Sequence, residues 1–252
     1  YYEQLGATGM PMIFLHSTPD DHRFWMFQTA QFSSYYRCLA VDCAGYGRSP
    51  AVQQGVTIDD HADASWEIID RYTKGGAIIH GNSFGSEIAM RMAQRRPERV
   101  PALILSGCGF VPSSDIFLRW AERYRSEGLP LRYAQVLDHF APAGRESKSL
   151  LHYADMVCAL NNEGTLASII ANNEALAQRP DPSFYDGITA PTIIIIGDLD
   201  RSKPASFELQ KRIKGSELVF IPEVAHACNI EAPAAYDMHC IHFLKKLGLF
   251  PA

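Results

Sequence analysis

The sequence predicts an α/β protein with a mostly parallel central sheet, helices on both faces and one all-helical insertion. Three observations carry this expectation. Short apolar runs alternate regularly with stretches of helical period, which is the pattern of a parallel sheet covered on both sides. The alternation stops after Gly109, and from about 113 to 179 only helical stretches follow. It then resumes at Pro191-Thr192-Ile193-Ile194-Ile195-Ile196-Gly197, a run apolar enough for a fully buried strand. A chain of 252 residues fits one such domain with an insertion better than two independent domains. The expected division is a core of residues 1–112 and 180–252, with 113–179 inserted as a helical cap or lid.

In chain order, residues 1–5 read as a strand, Gly6 to Gly9 as its turn, and residues 10–15 as an apolar strand interrupted only by Pro11. A helix is expected over about 22–33, with Phe24, Phe27 and Phe32 for packing, and a short strand over 38–41. The turn-rich loop from Asp42 to Pro50 has the look of a structural element. Thr57-Ile58-Asp59-Asp60 resembles a capping box with Asp in the place of the usual Glu, and opens a helix toward Tyr72. After Lys74-Gly75-Gly76 come a strand at Ile78, a helix stopped by Pro97, and a buried strand at 101–106. The insertion contains helices at 115–126, 131–140, 147–160 and 165–178, divided by Gly128-Leu129-Pro130, Pro142-Ala143-Gly144 and residues 161–164. Most of its large residues, among them Trp120, Tyr124, Tyr133, Phe140, Tyr153 and Met156, are expected to form the insertion's own core. A helix at 204–213, a strand at 218–221, a loop at 222–229 containing His226 and a helix at 233–247 close the chain.

Composition excludes several classes of function. A net charge of −5 with both signs interspersed gives no basic stripe, so nucleic acid and anionic membrane surfaces are not expected partners. No apolar run approaches the roughly 20 residues that span a bilayer, and no Lys/Arg-headed apolar leader is seen. The sequence begins without Met, directly on a strand, which leaves room for a piece ahead of it. The six cysteines lack C-x-x-C spacing, and Cys38, Cys43 and Cys108 fall in or beside strands, where a reduced thiol behaves as a small hydrophobe. The expected location is therefore the reducing cytoplasm. The nine histidines form no H-E-x-x-H cluster, and His239 and His242 read as helix surface, so no metal or cofactor is expected.

Chemistry is concentrated at Gly81-Asn82-Ser83-Phe84-Gly85, which follows an apolar run and precedes a helical pattern with Ile88, Met92 and Ala93 on one face. A Gly-x-Ser-x-Gly between strand and helix is a nucleophile elbow: the tight turn exposes the Ser83 hydroxyl, and Gly81 and Gly85 remove side chains that would collide. Serine is a poor nucleophile at neutral pH, so it needs a base, and the base needs an orienting carboxylate. Loops at the same sheet edge supply them: Asp200 follows one strand and His226 the next, in the chain order Ser, Asp, His. Asp198 competes for the acid's place, but two more residues of loop carry Asp200 further toward the histidine. His80 lies in the strand feeding the elbow and should pack beneath it; His16 should brace the loop after the second strand.

These motifs resemble the α/β-hydrolase superfamily over nearly the whole chain, in the branch of small capped esterases, lactonases and carbon–carbon bond hydrolases. The matching segments are His16-Ser17-Thr18-Pro19 for the family's His-Gly-x-Pro loop, Asp42 to Ser49 for its Asp-x-x-Gly-x-Gly-x-Ser loop, the elbow at Ser83, Arg96-Pro97-Glu98-Arg99-Val100, Gly197-x-x-Asp200, and Ala225-His226 where Gly-His is usual. The resemblance implies a triad of Ser83, Asp200 and His226, with an oxyanion hole from the N–H groups of Phe84 and Thr18. Two departures stand out. Ser17 replaces the usual glycine beside Thr18. Gly-Asn-Ser-Phe-Gly looks like the elbow of hydrolases of aromatic ring-fission products, yet Ala227 and Cys228 follow His226 where those enzymes typically carry Trp.

The leading expectation is a cofactor-free serine hydrolase of a small carboxylic ester or lactone with an apolar acyl or ring group. The alternatives are a carbon–carbon bond hydrolase of a vinylogous diketone, and a non-catalytic ligand-binding protein on the same scaffold. Halide- or epoxide-opening chemistry is disfavoured, because it uses a carboxylate nucleophile. An apolar patch on the insertion would serve lid motion or a homodimer equally well.

Overall fold

The computed structural model describes residues 1–111, 114–161 and 164–250. Seven strands form one sheet: β1 (Tyr2–Leu5), β2 (Pro11–Leu15), β3 (Arg37–Val41), β4 (Ile78–Asn82), β5 (Leu103–Ser106), β6 (Thr192–Gly197) and β7 (Glu217–Ile221), in the order β1-β3-β2-β4-β5-β6-β7. Only β1 runs antiparallel, pairing Tyr2 with Val41 along β3. The remaining pairs are parallel, with Leu15 opposite Gly81 and Asn82 opposite Ser106. The α/β class predicted from sequence is thus the observed one.

Period-two alternation divides the strands between two cores. Ile13, Leu15, Ile79, Leu103, Leu105, Ile194 and Ile196 face one side, where helices Ile58–Asp70 and Phe84–Arg95 cover them with Trp66, Ile69, Ile88 and Met92. Met12, Phe14, Ile78, Ile104, Ile193 and Ile195 face the other, against Phe24, Trp25, Phe32 and helix Pro233–Lys246. Strand order reverses between β2 and β4: the chain leaves β2 toward β3 on one side and β4 toward β5 on the other. The crevice at their carboxyl ends is where open α/β sheets bind ligands, and the loop after β2 and the elbow after β4 border it.

Between β5 and β6 lie helices Asp115–Glu127, Pro130–Asp138, Lys148–Ala159 and Thr165–Ala177, within two residues of the expected bounds, and a short helix Ser183–Asp186. The first packs on the fourth and the second on the third. Both cores extend into them, through Tyr124 and Ile169 on one side and Val136, Phe140, Tyr153 and Val157 on the other. The expected boundary at 112 and 113, and part of the turn at 161–164, lie outside the described residues.

Three local readings change. His22–Trp25 is a 3₁₀ turn ahead of helix Met26–Phe32, and Phe27 is exposed rather than packed, because the buried face runs through Gln28, Thr29 and Phe32. Residues 228 and 229, expected at the end of the loop 222–229, open the short helix Cys228–Glu231. The capping box closes as expected, Thr57 Oγ1 accepting the Asp60 N–H and Asp60 accepting the Thr57 N–H.

Candidate active site

The sharp turn at Ser83 is visible in its backbone, with φ 51° and ψ −109°, a left-handed conformation that a non-glycine residue rarely adopts. Gly81 and Gly85 allow it. A Cβ on Gly81 would stand 2.4 Å from the carbonyl oxygen of Gly85, and one on Gly85 only 2.0 Å from that of Leu15. The turn is fastened by the Ser83 N–H to Ser106 O (3.0 Å), the Gly85 N–H to His16 O (3.0 Å), and Ser86 Oγ to Gly81 O (2.8 Å).

Asp200 and His226 arrive from the loops after β6 and β7. Asp200 Oδ2 accepts a hydrogen bond from His226 Nδ1 at 3.0 Å, while Oδ1 accepts the Ser202 N–H at 2.8 Å. Burial alone would raise the Asp200 pKa; the facing imidazole and these hydrogen bonds outweigh it and hold the carboxyl down at about 2. Asp198 is used otherwise, accepting the Glu223 N–H at 2.7 Å. The histidine loop is tied to the elbow by Asn82, whose Nδ2 donates to His226 O (3.1 Å) and Ser106 Oγ (3.0 Å).

Ser83 and His226 line one cavity of about 320 Å³, together with Phe84 and Thr18. Among the described residues no side chain hydrogen-bonds Ser83 Oγ, and none accepts from the backbone N–H groups of Phe84 and Thr18. Thr18 is positioned from both sides. Its Oγ1 shares a hydrogen bond with Tyr46 OH at 2.6 Å. The preceding His16 donates from Nδ1 to Ser17 O (2.8 Å) and accepts the Cys43 N–H on Nε2 (3.0 Å), the bracing role expected of it. His80 lies beneath the elbow, fully buried among Phe14, Trp25 and Phe32. The structure therefore brings together all five residues singled out in the sequence, Ser83, Asp200, His226, Phe84 and Thr18.

Sequence reasoning missed the residues that the helical segment adds. Trp120 lines the cavity, as do Phe117, Gln135 and His139, whereas Tyr124, Tyr153 and Phe140 are buried in packing. Glu87, in the first turn of the elbow helix, also lines it, and its carboxylate is matched by Arg179 Nη2 at 2.7 Å. No local signal marks these residues, because their facing depends on how the helices dock.

Among the described residues, Asp21, His22 and Asp42 alone approach the geometry of a metal site. Their acceptors are already engaged: Asp42 Oδ1 takes the backbone N–H and Nδ1 of His22 (2.7 Å each), Asp42 Oδ2 takes the Arg48 N–H (2.7 Å), and Asp21 takes Arg23. The cluster pins the loop after β3 to the loop after β2, the structural part expected of residues 42–50. No described helix is long and apolar enough to cross a membrane.

A parallel sheet with a strained serine elbow at its switch point, facing an Asp–His pair, defines the class of α/β enzyme scaffolds that carry nucleophilic sites. The chain belongs to the alpha/beta hydrolase family, whose family model matches residues 12–237. Among curated relatives, the dihydrolipoyllysine-residue acetyltransferase component of the acetoin cleaving system of Pseudomonas putida is 24% identical over 98% of this chain, which spans 66% of that protein. A 2-hydroxy-6-oxononadienedioate/2-hydroxy-6-oxononatrienedioate hydrolase of Klebsiella pneumoniae is 27% identical over 84% of this chain and 77% of its own length. Among solved structures, the enol-lactonase of Burkholderia xenovorans LB400 superposes with a TM-score of 0.88 at 22% identity, covering 97% of this chain and 96% of that one.

Proposed function

We propose that the protein is a serine hydrolase of a small carboxylic ester or lactone, working without a cofactor through Ser83, His226 and Asp200. The observation that carries this reading is the convergence on one cavity of a strained serine, an Asp-oriented imidazole and two unused backbone donors. His226 takes the Ser83 proton as the hydroxyl attacks the carbonyl, and Asp200 fixes the tautomer and stabilises the imidazolium. The N–H groups of Phe84 and Thr18 receive the developing oxyanion, each contributing on the order of 3 kcal/mol to the transition state. The same imidazole gives its proton to the departing oxygen and then activates water to release the acid. Residues 113–179 act as a cap over the core of 1–112 and 180–252, shaping an apolar site and excluding bulk water.

A second reading, cleavage of a carbon–carbon bond in a vinylogous diketone, uses the same triad. It is favoured by the Gly-Asn-Ser-Phe-Gly elbow and by the likeness to the Klebsiella pneumoniae hydrolase. One experiment separates these readings from each other and from a binding protein. Wild type, S83A and H226A are treated with a fluorophosphonate probe and assayed on short-chain aryl esters, simple lactones and a dienone diketone. Labelling lost in both variants, with ester or lactone turnover, is the expected result. Faster diketone turnover would establish the second reading. A folded wild type that neither labels nor turns over would refute both.

A further inference from the structure

The helical segment brings a second imidazole to the cavity. His139, just after helix Pro130–Asp138, is buried and lines the cavity beside Ser83 and His226. Its ring centroid is 5.0 Å from that of His226, with the planes at 46°. The backbone holds it there, because His139 O accepts the Ala227 N–H at 3.0 Å, one residue past His226.

Behind the ring is a carboxylate with no exposed surface. His139 Nδ1 lies 3.3 Å from Asp20 Oδ2, and Asp20 Oδ1 accepts the Tyr153 hydroxyl at 2.8 Å. The contact is one of charge, without the alignment of a hydrogen bond; a carboxylate oxygen at this distance favours the proton on Nδ1 and leaves Nε2 as the acceptor. Burial, opposed by Asp20, lowers the His139 pKa and keeps the ring neutral. Among the described residues no protein group hydrogen-bonds Nε2, and His139 lines the cavity. A cavity-lining acceptor whose tautomer is favoured by the carboxylate behind it, and which has no protein partner, is a place for a donor on a ligand.

Its position indicates which part of the ligand. In the reaction proposed above, on which this inference rests, the carbonyl oxygen turns toward Phe84 and Thr18, while His226 delivers its proton to the departing oxygen. A ring tilted against His226 at 5.0 Å stands beside the departing fragment. We propose that His139 is a specificity-determining residue, its Nε2 accepting a hydrogen bond from a hydroxyl on the leaving part of the substrate, with Asp20 as its positioning residue. The preferred substrates are then esters or lactones with a hydroxyl near the departing oxygen, and a methyl in its place leaves the buried acceptor unpaired.

The test uses two butanoate esters of equal size, 2-hydroxyethyl and n-propyl, which differ by a hydroxyl in place of a methyl. Fluorophosphonate labelling of the wild type first establishes the serine hydrolase. The ratio of kcat/KM for the two esters is then measured in wild type, H139F and D20N, with near-UV circular dichroism as a check on folding. The expected wild-type ratio is tenfold or more in favour of the hydroxyethyl ester, falling close to one in H139F and at least threefold in D20N. D20N keeps the ring but removes the charge that favours its Nδ1–H tautomer, so it decides the matter if H139F does not fold. A labelling wild type with a ratio near one, or a ratio unchanged in the folded variants, overturns the proposal. A wild type that does not label refutes the serine-hydrolase reading itself, and this proposal with it.

Discussion

His80 is the residue whose chemistry and surroundings agree least. It has no exposed surface, and neither ring nitrogen has a hydrogen-bond partner among the described residues. Burial drives its pKa from 6.5 down to about 3. A histidine depressed in the folded state contributes full stability above its unfolded pKa and loses it as pH falls, with a slope approaching about 1.4 kcal/mol per pH unit below 6.5. H80F, with an aromatic ring against Phe14 and Trp25, is therefore expected to flatten the acid side of the stability profile. Urea midpoints between pH 4 and 8 measure this, and a profile as steep as wild type would contradict it. That His80 packs beneath the elbow was legible from its place in the strand. That it would be left unpartnered was not, since this depends on side chains from three other segments. Asp200 is lowered too, but because its charged form is favoured rather than excluded: its carboxyl, held at about 2, stays ionised through the working range. On the hydrolase reading proposed above, D200N deprives the imidazole of its orienting acceptor, and kcat on an ester or lactone substrate is expected to fall by about 10⁴ with little change in KM.

At the scale of elements, the elbow is fixed by backbone against backbone. An alanine at Gly85 would place its Cβ 2.0 Å from the Leu15 carbonyl, which is held in the central sheet and cannot yield as a flexible side chain would. G85A is expected to lose more than about 3 kcal/mol of stability or to fail to fold, as read by urea denaturation, whereas T57A should lose about 1 kcal/mol by breaking the capping box. Such features were legible because each is written within a few neighbouring residues: a glycine spacing, a Thr-x-x-Asp, an apolar run between turns. Phe27 was misplaced because only the observed phase of its helix shows it about 200° from Thr29 and off the buried face. Helix Cys228–Glu231 was missed for its length, since four residues hold no helical period.

For the molecule as a whole, the outcome depends on how the helical segment is joined to the sheet. Arg132 Nε donates to Pro19 O, Tyr153 to Asp20, Asn172 to Ala44 O, and Arg179 to Glu87. None of these pairings was legible, because each joins positions far apart in sequence whose facing is decided only when both cores close. Glu87 and Arg179 are both about nine-tenths buried. Removing the guanidinium strands a carboxylate, so R179M is expected to cost about 3 kcal/mol and E87Q/R179M to recover most of it, as thermal and urea unfolding of the single and double variants would show. One set of bonds reaches further. Glu231 accepts the N–H of Ala141 (2.8 Å) with one carboxylate oxygen and that of Ala225 (2.7 Å) with the other, while His139 O holds Ala227. Both backbone neighbours of His226 are thus anchored at the seam where the helical segment meets the loop. On the cap reading proposed above, lifting that segment at His139 and Ala141 takes the acceptor from Ala227 and one of two donors from Glu231, while Ala225 stays bound to Glu231, so opening the entrance loosens one side of the His226 loop. On that reading the entrance and the histidine loop share one fastening, and closing the first tightens the second.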